Sequence, residues 1–383
     1  MEKVRIGVIG AGGMGIAHCN MIKDISEAQL TAVSDVNKDA VEKVGKDFEV
    51  KSFTDYKELI KSGLVDAVII ATPHYFHPEI AIFAMENGLH VLTEKPISVS
   101  VSQADKMIST AKKTGKIFSI VYQRRTESFI KSAIDIAKND KLGQIHRTLC
   151  IDCWYRTQSY YNSAGWRATW KGEGGGILIN QSPHTIDLFL LLGGMPKTIE
   201  GKANTKFHNI EVEDEAYALL EYENGATGYY YASTNELPEG FHIEILGEKG
   251  KLVLNTPNEI KFYSFSKDLT EFMFSADKMW DKVDVKEEKI ELTDLPSGHK
   301  VIVQNFCRAI LFNEPLISPG EEGIKAIEFI NAVIYSGKKN KKVELPLNRK
   351  AYDKLLSQLQ ASSKQKTVVK ETRETDPQHK KTN

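Results

Sequence analysis

The first part of the chain alternates short apolar runs with stretches of helical periodicity. The helical stretches include residues 16–22, 78–87 and 101–114. The apolar runs have the length of buried strands and lie at residues 4–9, 30–34, 67–71, 90–93 and 117–121. Strands that alternate with helices are typical of βαβ units, in which a crossover helix joins two parallel strands. The pattern therefore predicts an α/β fold in which residues 1–123 form a doubly wound parallel sheet.

The periodicity changes near residue 145, after a predicted helix at 127–139 that bridges the two regions. The alternating runs that follow mostly lack intervening helices, which predicts a mainly antiparallel sheet. These runs lie at residues 146–155, 198–206, 215–222, 226–233, 242–246 and 251–255. Helices are predicted at residues 183–192, 300–311 and 321–336. We therefore expect two domains, 1–123 and 124–360. The polar tail at 361–383 is expected to be disordered or packed on a neighbouring subunit.

Residues 262–298 interrupt this regular pattern. The stretch is irregular and charged, with a few aromatic residues that include Phe272, Phe274 and Trp280. It is compatible with a lid over a site or with a solvated excursion, and we favour the excursion.

A glycine-rich turn follows the first predicted strand directly and has the sequence Gly10-Ala11-Gly12-Gly13-Met14-Gly15. The pattern G-x-G-x-x-G between a strand and a helix is typical of dinucleotide binding. Gly10 permits the tight turn, Gly12 lets the backbone approach a pyrophosphate, and Gly15 lets helix and strand pack closely. The free N–H groups at the start of the helix then face the phosphates. We predict a cofactor site that includes Gly13 and Met14.

An acidic residue at the end of the second predicted strand selects the kind of dinucleotide. Asp35 stands about 20 residues beyond the glycines, where a carboxylate binds the adenosine ribose 2′-hydroxyl. A carboxylate at this position would repel a 2′-phosphate, and no arginine follows it immediately. NAD(H) is therefore the expected cofactor, rather than NADP(H).

Composition excludes several other classes of protein. The chain has 383 residues, 41% of them hydrophobic and 26% charged, and a formal net charge of -1. That balance gives no electrostatic basis for binding nucleic acid or an anionic membrane. The apolar runs are too short to span a bilayer, and the chain enters a strand at once, without a signal peptide. We expect a cytoplasmic protein.

The four cysteines do not make a disulfide framework in a chain of this length. Cys150 and Cys153 form one C-x-x-C, but no second pair or nearby histidine completes a zinc site. Their position on a predicted strand explains them better, so no metal is expected.

The loop after the third apolar run contains Thr72, Pro73, His74 and His77. In doubly wound sheets, ligands bind outside the carboxyl ends of the strands, so this loop is expected to contact the cofactor. For His77 an equally weighted alternative is that it caps the helix starting near residue 78.

The next strand ends in Glu94-Lys95-Pro96. A lysine beside the expected nicotinamide can bind a substrate hydroxyl and help to remove its proton, since burial can lower its pKa toward neutral pH. The alternative for Lys95 is a solvated surface lysine.

A second cluster starts at Trp166-Arg167 and continues through three glycines, at 174–176, to Asn180, His184 and Asp187. Asn180 and His184 are four residues apart, which places two side chains on one face of a helix. His184 is suited to proton transfer near neutral pH. The alternative for His184 is a structural role, and Asp187 either orients it or is a buried partner of the fold.

These motifs together resemble the glucose–fructose oxidoreductase, inositol dehydrogenase and MocA (Gfo/Idh/MocA) family over nearly all of residues 1–350. The resemblance implies a Rossmann domain followed by an α/β domain whose large open sheet builds a homodimer or homotetramer interface. It also implies that Lys95 and His184 act in catalysis, with the substrate between the domains and against the nicotinamide. Many dehydrogenases of the family have Asp where this chain has Asn180, and an amide accepts no proton at neutral pH. We therefore expect Lys95 and His184 to share proton transfer while Asn180 orients the substrate; reduced dehydrogenase activity is the alternative.

The remaining expected substrate contacts are polar and aromatic, as a sugar ring requires: Gln123, which also lies near the cofactor, and Arg124, Tyr155, Arg156, Trp166 and Arg167. The predicted function is NAD-dependent oxidation or reduction at a secondary hydroxyl of a sugar, glycoside or inositol, for example at C3 of a hexopyranoside. Two alternatives remain. One is an enzyme that retains and recycles tightly bound NAD, and the other is a non-catalytic sugar or dinucleotide sensor.

Overall fold

A computed structural model describes residues 2–364, 366 and 368–370. The first sheet is parallel throughout, with the strand order β3-β2-β1-β4-β5-β6. Its strands are β1 (Val4–Ile9), β2 (Ala28–Ser34), β3 (Lys51–Phe53), β4 (Ala67–Ile70), β5 (His90–Thr93) and β6 (Phe118–Ile120). The predicted doubly wound sheet is confirmed. Strand β3 is absent from the strands predicted from the sequence, because three residues carry too little periodicity.

Helices cover both faces of this sheet, as the alternating pattern requires. They are α1 (Gly13–Ile22), α2 (Lys38–Asp47), α3 (Tyr56–Lys61), α4 (His77–Glu86) and α5 (Val101–Thr114). The strand order reverses between β1 and β4, so their carboxyl ends open a crevice at the edge of the sheet. The glycine turn and the loop after β4 both lie at this crevice.

A second, nine-stranded sheet follows the helix α6 (Ser128–Lys138), with the order β14-β13-β12-β11-β7-β10-β9-β8-β15. Strands β7 and β10 run parallel, and the other neighbours run antiparallel. The strands are β7 (Ile145–Cys153), β8 (Thr198–Asn204), β9 (Glu215–Glu221), β10 (Thr227–Ser233), β11 (Gly240–Gly247), β12 (Gly250–Asn255), β13 (Glu259–Phe265), β14 (Val285–Glu288) and β15 (Val343–Glu344). The predicted large, mainly antiparallel sheet is confirmed.

The expectation that residues 262–298 are irregular is wrong in part. The edge strands β13 and β14 pair there, and the short helix α10 (Leu269–Ser275) lies between them. The pattern hides β14 because its sequence is Val-Lys-Glu-Glu, and a charged edge strand shows no apolar alternation. The part between the strands is solvated as expected, since Phe274 and Trp280 are 88% and 84% exposed.

The remaining helices are α7 (Gln158–Asn162), α8 (Ile177–Asn180), α9 (Pro183–Gly193), α11 (His299–Phe312), α12 (Gly323–Lys339) and α13 (Arg349–Ser362). Helices α9 and α12 cover one face of the second sheet, where the rings of Phe189, Tyr230 and Phe329 pack with centroids 5.2 to 6.3 Å apart. Helix α11 returns to the first sheet, where its Phe306 is fully buried. Helix α11 thereby attaches the later part of the chain to the first sheet.

The chain beyond α13 is described only in part. Ser363 Oγ donates to Glu211 at 2.6 Å, and the Lys370 N–H donates to the carbonyl of Asn162 at 2.9 Å. This part of the predicted tail therefore lies on its own chain. Residues 371–383 lie outside the described residues.

Candidate active site

The glycine turn combines two tightly packed positions with one open position. Gly10 has φ +107°, and a Cβ there would lie 2.5 Å from the carbonyl oxygen of Ala71. A Cβ on Gly15 would lie 1.7 Å from the Gly10 oxygen, which brings helix and strand together without a side chain between them. No described atom lies within 4 Å of a Cβ on Gly12. The space in front of Gly12 is therefore available to a ligand, and α1 begins there with Gly13 and Met14.

Asp35 is fixed beside this turn by two backbone donors. Its Oδ2 accepts from the N–H of Ala11 at 2.7 Å, and its Oδ1 accepts from the N–H of Asn37 at 2.8 Å. The carboxylate is thus oriented at the end of β2, where an adenosine ribose would bind. Across the crevice, the buried Oγ1 of Thr72 has no hydrogen-bond partner among the described residues. An open backbone, an oriented carboxylate and an unpaired hydroxyl fit a bound dinucleotide.

The loop after β4 is held by its histidines. His77 is fully buried, and its Nδ1 and Nε2 lie 2.9 Å and 2.8 Å from the carbonyl oxygens of Pro96 and Thr72. No described side chain caps α4, so the capping interpretation is wrong. His77 instead joins the loop after β4 to the loop after β5, and so sets the position of Pro73 and its neighbours. The Nδ1 of His74 lies 3.1 Å from the carbonyl of Glu173, which reaches across from the second domain.

Glu94 connects the loop after β5 to the first helix. Its Oε1 lies 2.7 Å from Nε2 of His18, on the inner face of α1. Burial raises the pKa of Glu94, but the hydrogen bond and charge interaction with His18, together with smaller charge interactions with His299 and Lys95, outweigh burial and bring the pKa to about 2. Glu94 is therefore an ionised carboxylate that fixes the backbone on which Lys95 is carried.

Lys95 extends from the first sheet to the second domain. Its Nζ donates to the backbone carbonyl of Asn180 at 2.6 Å, and the ammonium is partly buried. Burial lowers the pKa of Lys95, while the carboxylates of Glu94 and Glu173 oppose the shift. Lys95 is thus not a solvated surface lysine, and its altered pKa suits a group that exchanges protons.

Asn180 and His184 do not share one helix, which corrects the expectation from their spacing. Asn180 ends α8, and His184 lies in the first turn of α9, which starts at Pro183. Proline has no N–H to continue the preceding helix, so a new helix begins at that residue. Each residue has its own contact with the first part of the chain. The Asn180 carbonyl accepts from Nζ of Lys95. Nε2 of His184 lies 3.3 Å from Nε2 of Gln123, a residue that follows β6.

Asp187 is a partner of the fold. Its two oxygens accept from Nε and Nη2 of Arg125 at 2.7 Å and 2.5 Å, and Glu322 binds the same guanidinium. Arg125 and Asp187 are both buried. This bidentate pair attaches α9 to the turn that contains Gln123, so Asp187 acts on the position of the helix that carries His184.

An aromatic and charged cluster surrounds Asn180. The Tyr160 hydroxyl accepts from Nδ2 of Asn180 at 3.2 Å and from Nε2 of Gln181 at 3.0 Å. The guanidinium of Arg167 lies 4.3 Å and 4.8 Å from the ring centroids of Tyr160 and Trp166. Cation–π contacts of this kind hold a guanidinium and a ring in a fixed relation.

Three further predicted substrate residues, Arg124, Tyr155 and Arg156, differ in how they relate to this cluster. Arg156 stacks on the Tyr160 ring at 5.2 Å. Arg124 lies between the rings of Trp154 and Phe241, at the end of β7. Tyr155 is 40% exposed, and its carbonyl accepts from Arg156. These contacts join Arg156 directly to the cluster and Tyr155 to it through Arg156, whereas Arg124 contacts the rings of Trp154 and Phe241 instead.

Glu173 is absent from the site predicted from the sequence; it is 1% exposed and accepts from Nδ2 of Asn180. The available signal was an acid directly before the three glycines, within a stretch of otherwise small, aromatic and basic residues.

Metal-binding clusters and membrane-spanning helices are both lacking in the described part of the chain. No group of three or more His, Cys, Asp or Glu side chains is arranged there to hold a metal ion. Cys150 and Cys153 are buried on β7 and are not in a disulfide. Over the same residues, none of the helices combines the length and apolar character needed to cross a bilayer.

The parallel sheet with its glycine turn, facing a partly buried lysine and a second sheet, defines a dinucleotide-dependent oxidoreductase. Residues 4–122 match the family described as "Oxidoreductase family, NAD-binding Rossmann fold", and residues 130–253 match "GFO/IDH/MocA C-terminal domain". The chain belongs to the GFO/IDH/MocA family. The predicted family, the fold class and NAD as cofactor are confirmed.

Relatives within this family support the assignment. The chain is 29% identical over 269 residues to glucose-6-phosphate 3-dehydrogenase of Bacillus subtilis, covering 66% of this chain and 75% of the relative. It is 28% identical to scyllo-inositol 2-dehydrogenase (NAD(+)) of the same organism, covering 67% and 75%. Among solved structures, the WlbA dehydrogenase of Chromobacterium violaceum in complex with NADH and UDP-GlcNAcA has a TM-score of 0.79 and 27% identity. That alignment covers 91% of this chain and 97% of that chain.

Proposed function

We propose that the chain is an NAD-dependent dehydrogenase of a secondary hydroxyl on a sugar, glycoside or inositol, for example at C3 of a hexopyranoside. One observation carries the proposal: Nζ of Lys95 lies 2.6 Å from the Asn180 carbonyl. This contact joins the carboxyl edge of the NAD-binding sheet to the helices of the second domain. A cyclic polyol bound at that junction would have Lys95 on one side and the His184–Gln123 pair near it.

The chain's own groups would handle the hydroxyl proton. Lys95 has its pKa lowered by burial, so its neutral amine is accessible closer to neutral pH than that of a surface lysine. His184 is the second group able to exchange a proton there. Asn180 has no acidic group and contributes hydrogen bonds only. NAD, when bound, would supply the acceptor for the hydride that leaves the same carbon.

The cluster around Asn180 supports a polar ring as substrate. Tyr160, Trp166 and Arg167 present two aromatic faces and a guanidinium that is fixed between them. Aromatic faces pack against the C–H surface of a sugar ring, while fixed donors select the orientation of its hydroxyls. The names of the relatives point the same way, since they specify a hexose phosphate and an inositol.

The experiment is NADH formation by purified protein with NAD and a panel of inositols, hexoses, hexose phosphates and glucosides. We expect turnover on one class of substrate, lost in Lys95→Ala and retained in Lys113→Ala, an exposed lysine on α5. Absence of turnover across the panel would contradict the proposal. If NAD were also found bound after purification, the enzyme would be one that recycles its cofactor. Binding of a sugar without either result would indicate a sensor.

We also propose that the chain forms a homo-oligomer through the second sheet. Among the described residues, helices cover one face of this sheet, and the other face carries Ile151, Tyr217 and Leu219 with 37%, 37% and 59% exposure. The strand register aligns Tyr217 with Tyr231 and Ile151 across three neighbouring strands. Such an apolar face is typical of an interface. Sedimentation should give a dimer or tetramer, shifted toward monomer by Leu219→Asp; a monomeric wild type would refute this.

A further inference from the structure

Glu173 is a buried carboxylate that the proposed mechanism does not yet use. It directly precedes the glycines at 174–176, and it is 1% exposed. Its carboxylate accepts from the N–H of Ala168 and from Nδ2 of Asn180, and it lies 3.8 Å from Nη1 of Arg167. Burial raises the pKa of Glu173, while the Arg167 guanidinium and the hydrogen bonds from Ala168 and Asn180 lower it and so favour the carboxylate. A buried charge is unfavourable unless it is paired and hydrogen-bonded, so these contacts keep Glu173 in one position.

Asn180 connects this carboxylate to Lys95. Its side-chain Nδ2 donates to Glu173, and its backbone oxygen accepts from Nζ of Lys95 at 2.6 Å. Because a carboxylate oxygen accepts but does not donate, the Asn180 side chain must turn its Nδ2, and not its Oδ1, toward Glu173. The Oδ1 of Asn180 can then accept a hydrogen bond from another donor. The orientation of the uncharged Asn180 thus depends on Glu173.

We propose that Glu173 is a positioning residue of this site: through Asn180 it fixes the amide that faces the substrate and holds the Lys95 ammonium in place. Its role in turnover rests on the proposed function, whereas its effect on Lys95 does not. Glu173 is assigned no contact with substrate and no proton transfer.

The charges around Lys95 determine whether its pKa rises or falls when one of them is removed. Lys95 interacts electrostatically with the carboxylates of Glu94 and Glu173 and with the guanidiniums of Arg167 and Arg156. The nearby rings of His74 and His77 have their pKa values lowered by burial, which favours the neutral form. Each carboxylate raises the pKa of Lys95 and each guanidinium lowers it. Loss of the Glu173 charge should therefore lower the pKa of Lys95, and loss of Arg167 should raise it.

The test measures Lys95 directly, in the full-length protein without substrate. The rate of its acetylation by acetic anhydride is followed against pH by mass spectrometry, since only the neutral amine reacts. Glu173→Gln keeps the shape and removes the charge, and Arg167→Gln removes the opposite charge. Glu213→Gln is the matched control: Glu213 is also buried, and it accepts from the N–H groups of Gly176 and of Leu178 at the start of α8.

We expect the midpoint of Lys95 labelling to move down by about one pH unit in Glu173→Gln, the scale for one neighbouring charge. It should move up in Arg167→Gln and stay in place in Glu213→Gln. An unchanged midpoint in folded Glu173→Gln overturns the inference. If that variant does not fold, an unchanged midpoint in Arg167→Gln overturns it. Labelling needs no turnover, so these results remain decisive even if no sugar is oxidised.

Discussion

The glycine turn offers two substitutions with opposite expected effects, and the structure determines which is which. In Gly12→Ala the new methyl group meets open space, and the φ of Gly12, -80°, is accessible to alanine. In Gly15→Ala the new methyl group would lie 1.7 Å from the Gly10 oxygen, so the backbone must move. We therefore expect Gly12→Ala to lose NAD affinity with little change in stability, and Gly15→Ala to lose stability even without nucleotide.

The magnitudes follow from the contacts involved. Alanine at a compatible φ changes the free energy of unfolding by roughly 0.4–1 kcal/mol in the favourable direction. A methyl at Gly12 would move the pyrophosphate away from the N–H groups of α1. Since one hydrogen bond to a charged group is worth about 1.5–3 kcal/mol, NAD affinity should fall about ten- to a hundred-fold. Overpacking at Gly15 should cost about 1–3 kcal/mol or more.

The assays are fluorescence titration with NADH and thermal unfolding without nucleotide. Wild-type affinity in Gly12→Ala would refute the reasoning, because the backbone at Gly12 would then not approach the cofactor. Equal thermal stability of Gly15→Ala and the wild type would refute the packing argument. A loss of about 2–4 °C per kcal/mol is the scale expected for domains of this size.

Three further predictions concern buried or oriented carboxylates. Burial raises the pKa of Glu213 from 4.5 to about 7, so its contribution to stability is present below pH 4.5 and is lost as the pH rises through 7. This loss amounts to about 3 kcal/mol of the free energy of unfolding. Urea unfolding at several pH values should show it in the wild type but not in Glu213→Gln. Parallel pH profiles of stability for the two proteins would contradict this prediction. Asp187→Asn leaves the buried Arg125 charge poorly paired and should lower the free energy of unfolding by about 3–5 kcal/mol in urea; unchanged stability with lost turnover would instead favour a role on His184. Asp35→Ser should weaken NAD binding roughly ten-fold and reduce discrimination against NADP, measured by titration with both nucleotides; an unchanged NAD-to-NADP ratio would count against the ribose assignment.

The NAD-binding part of the site was predictable because its determinants are local. The turn at residues 10–15 needs glycine for reasons of backbone conformation and contact with adjacent segments. Asp35 follows from its place at the end of β2. Such features lie within one βαβ unit, so the sequence pattern contains them.

The interpretation of the second cluster depended on contacts between distant residues. Spacing alone placed Asn180 and His184 on one helix, whereas Pro183 starts a new helix between them. Spacing also left Asp187 open as a partner of His184, and the structure pairs it with Arg125, 62 residues away. Periodicity reports which face of an element is buried, but not which distant side chain it meets.

The sequence by itself determined the two-sheet α/β architecture, the dinucleotide turn with Asp35, and the candidate motifs around Lys95 and His184. Backbone conformation and hydrophobic periodicity depend on near neighbours, so one chain suffices to predict them. Only the tertiary structure brought Lys95 to the carbonyl of Asn180, 85 residues away, and buried Glu173 beside it. Which charges meet, and how burial changes their pKa values, depends on the packing of one domain against the other.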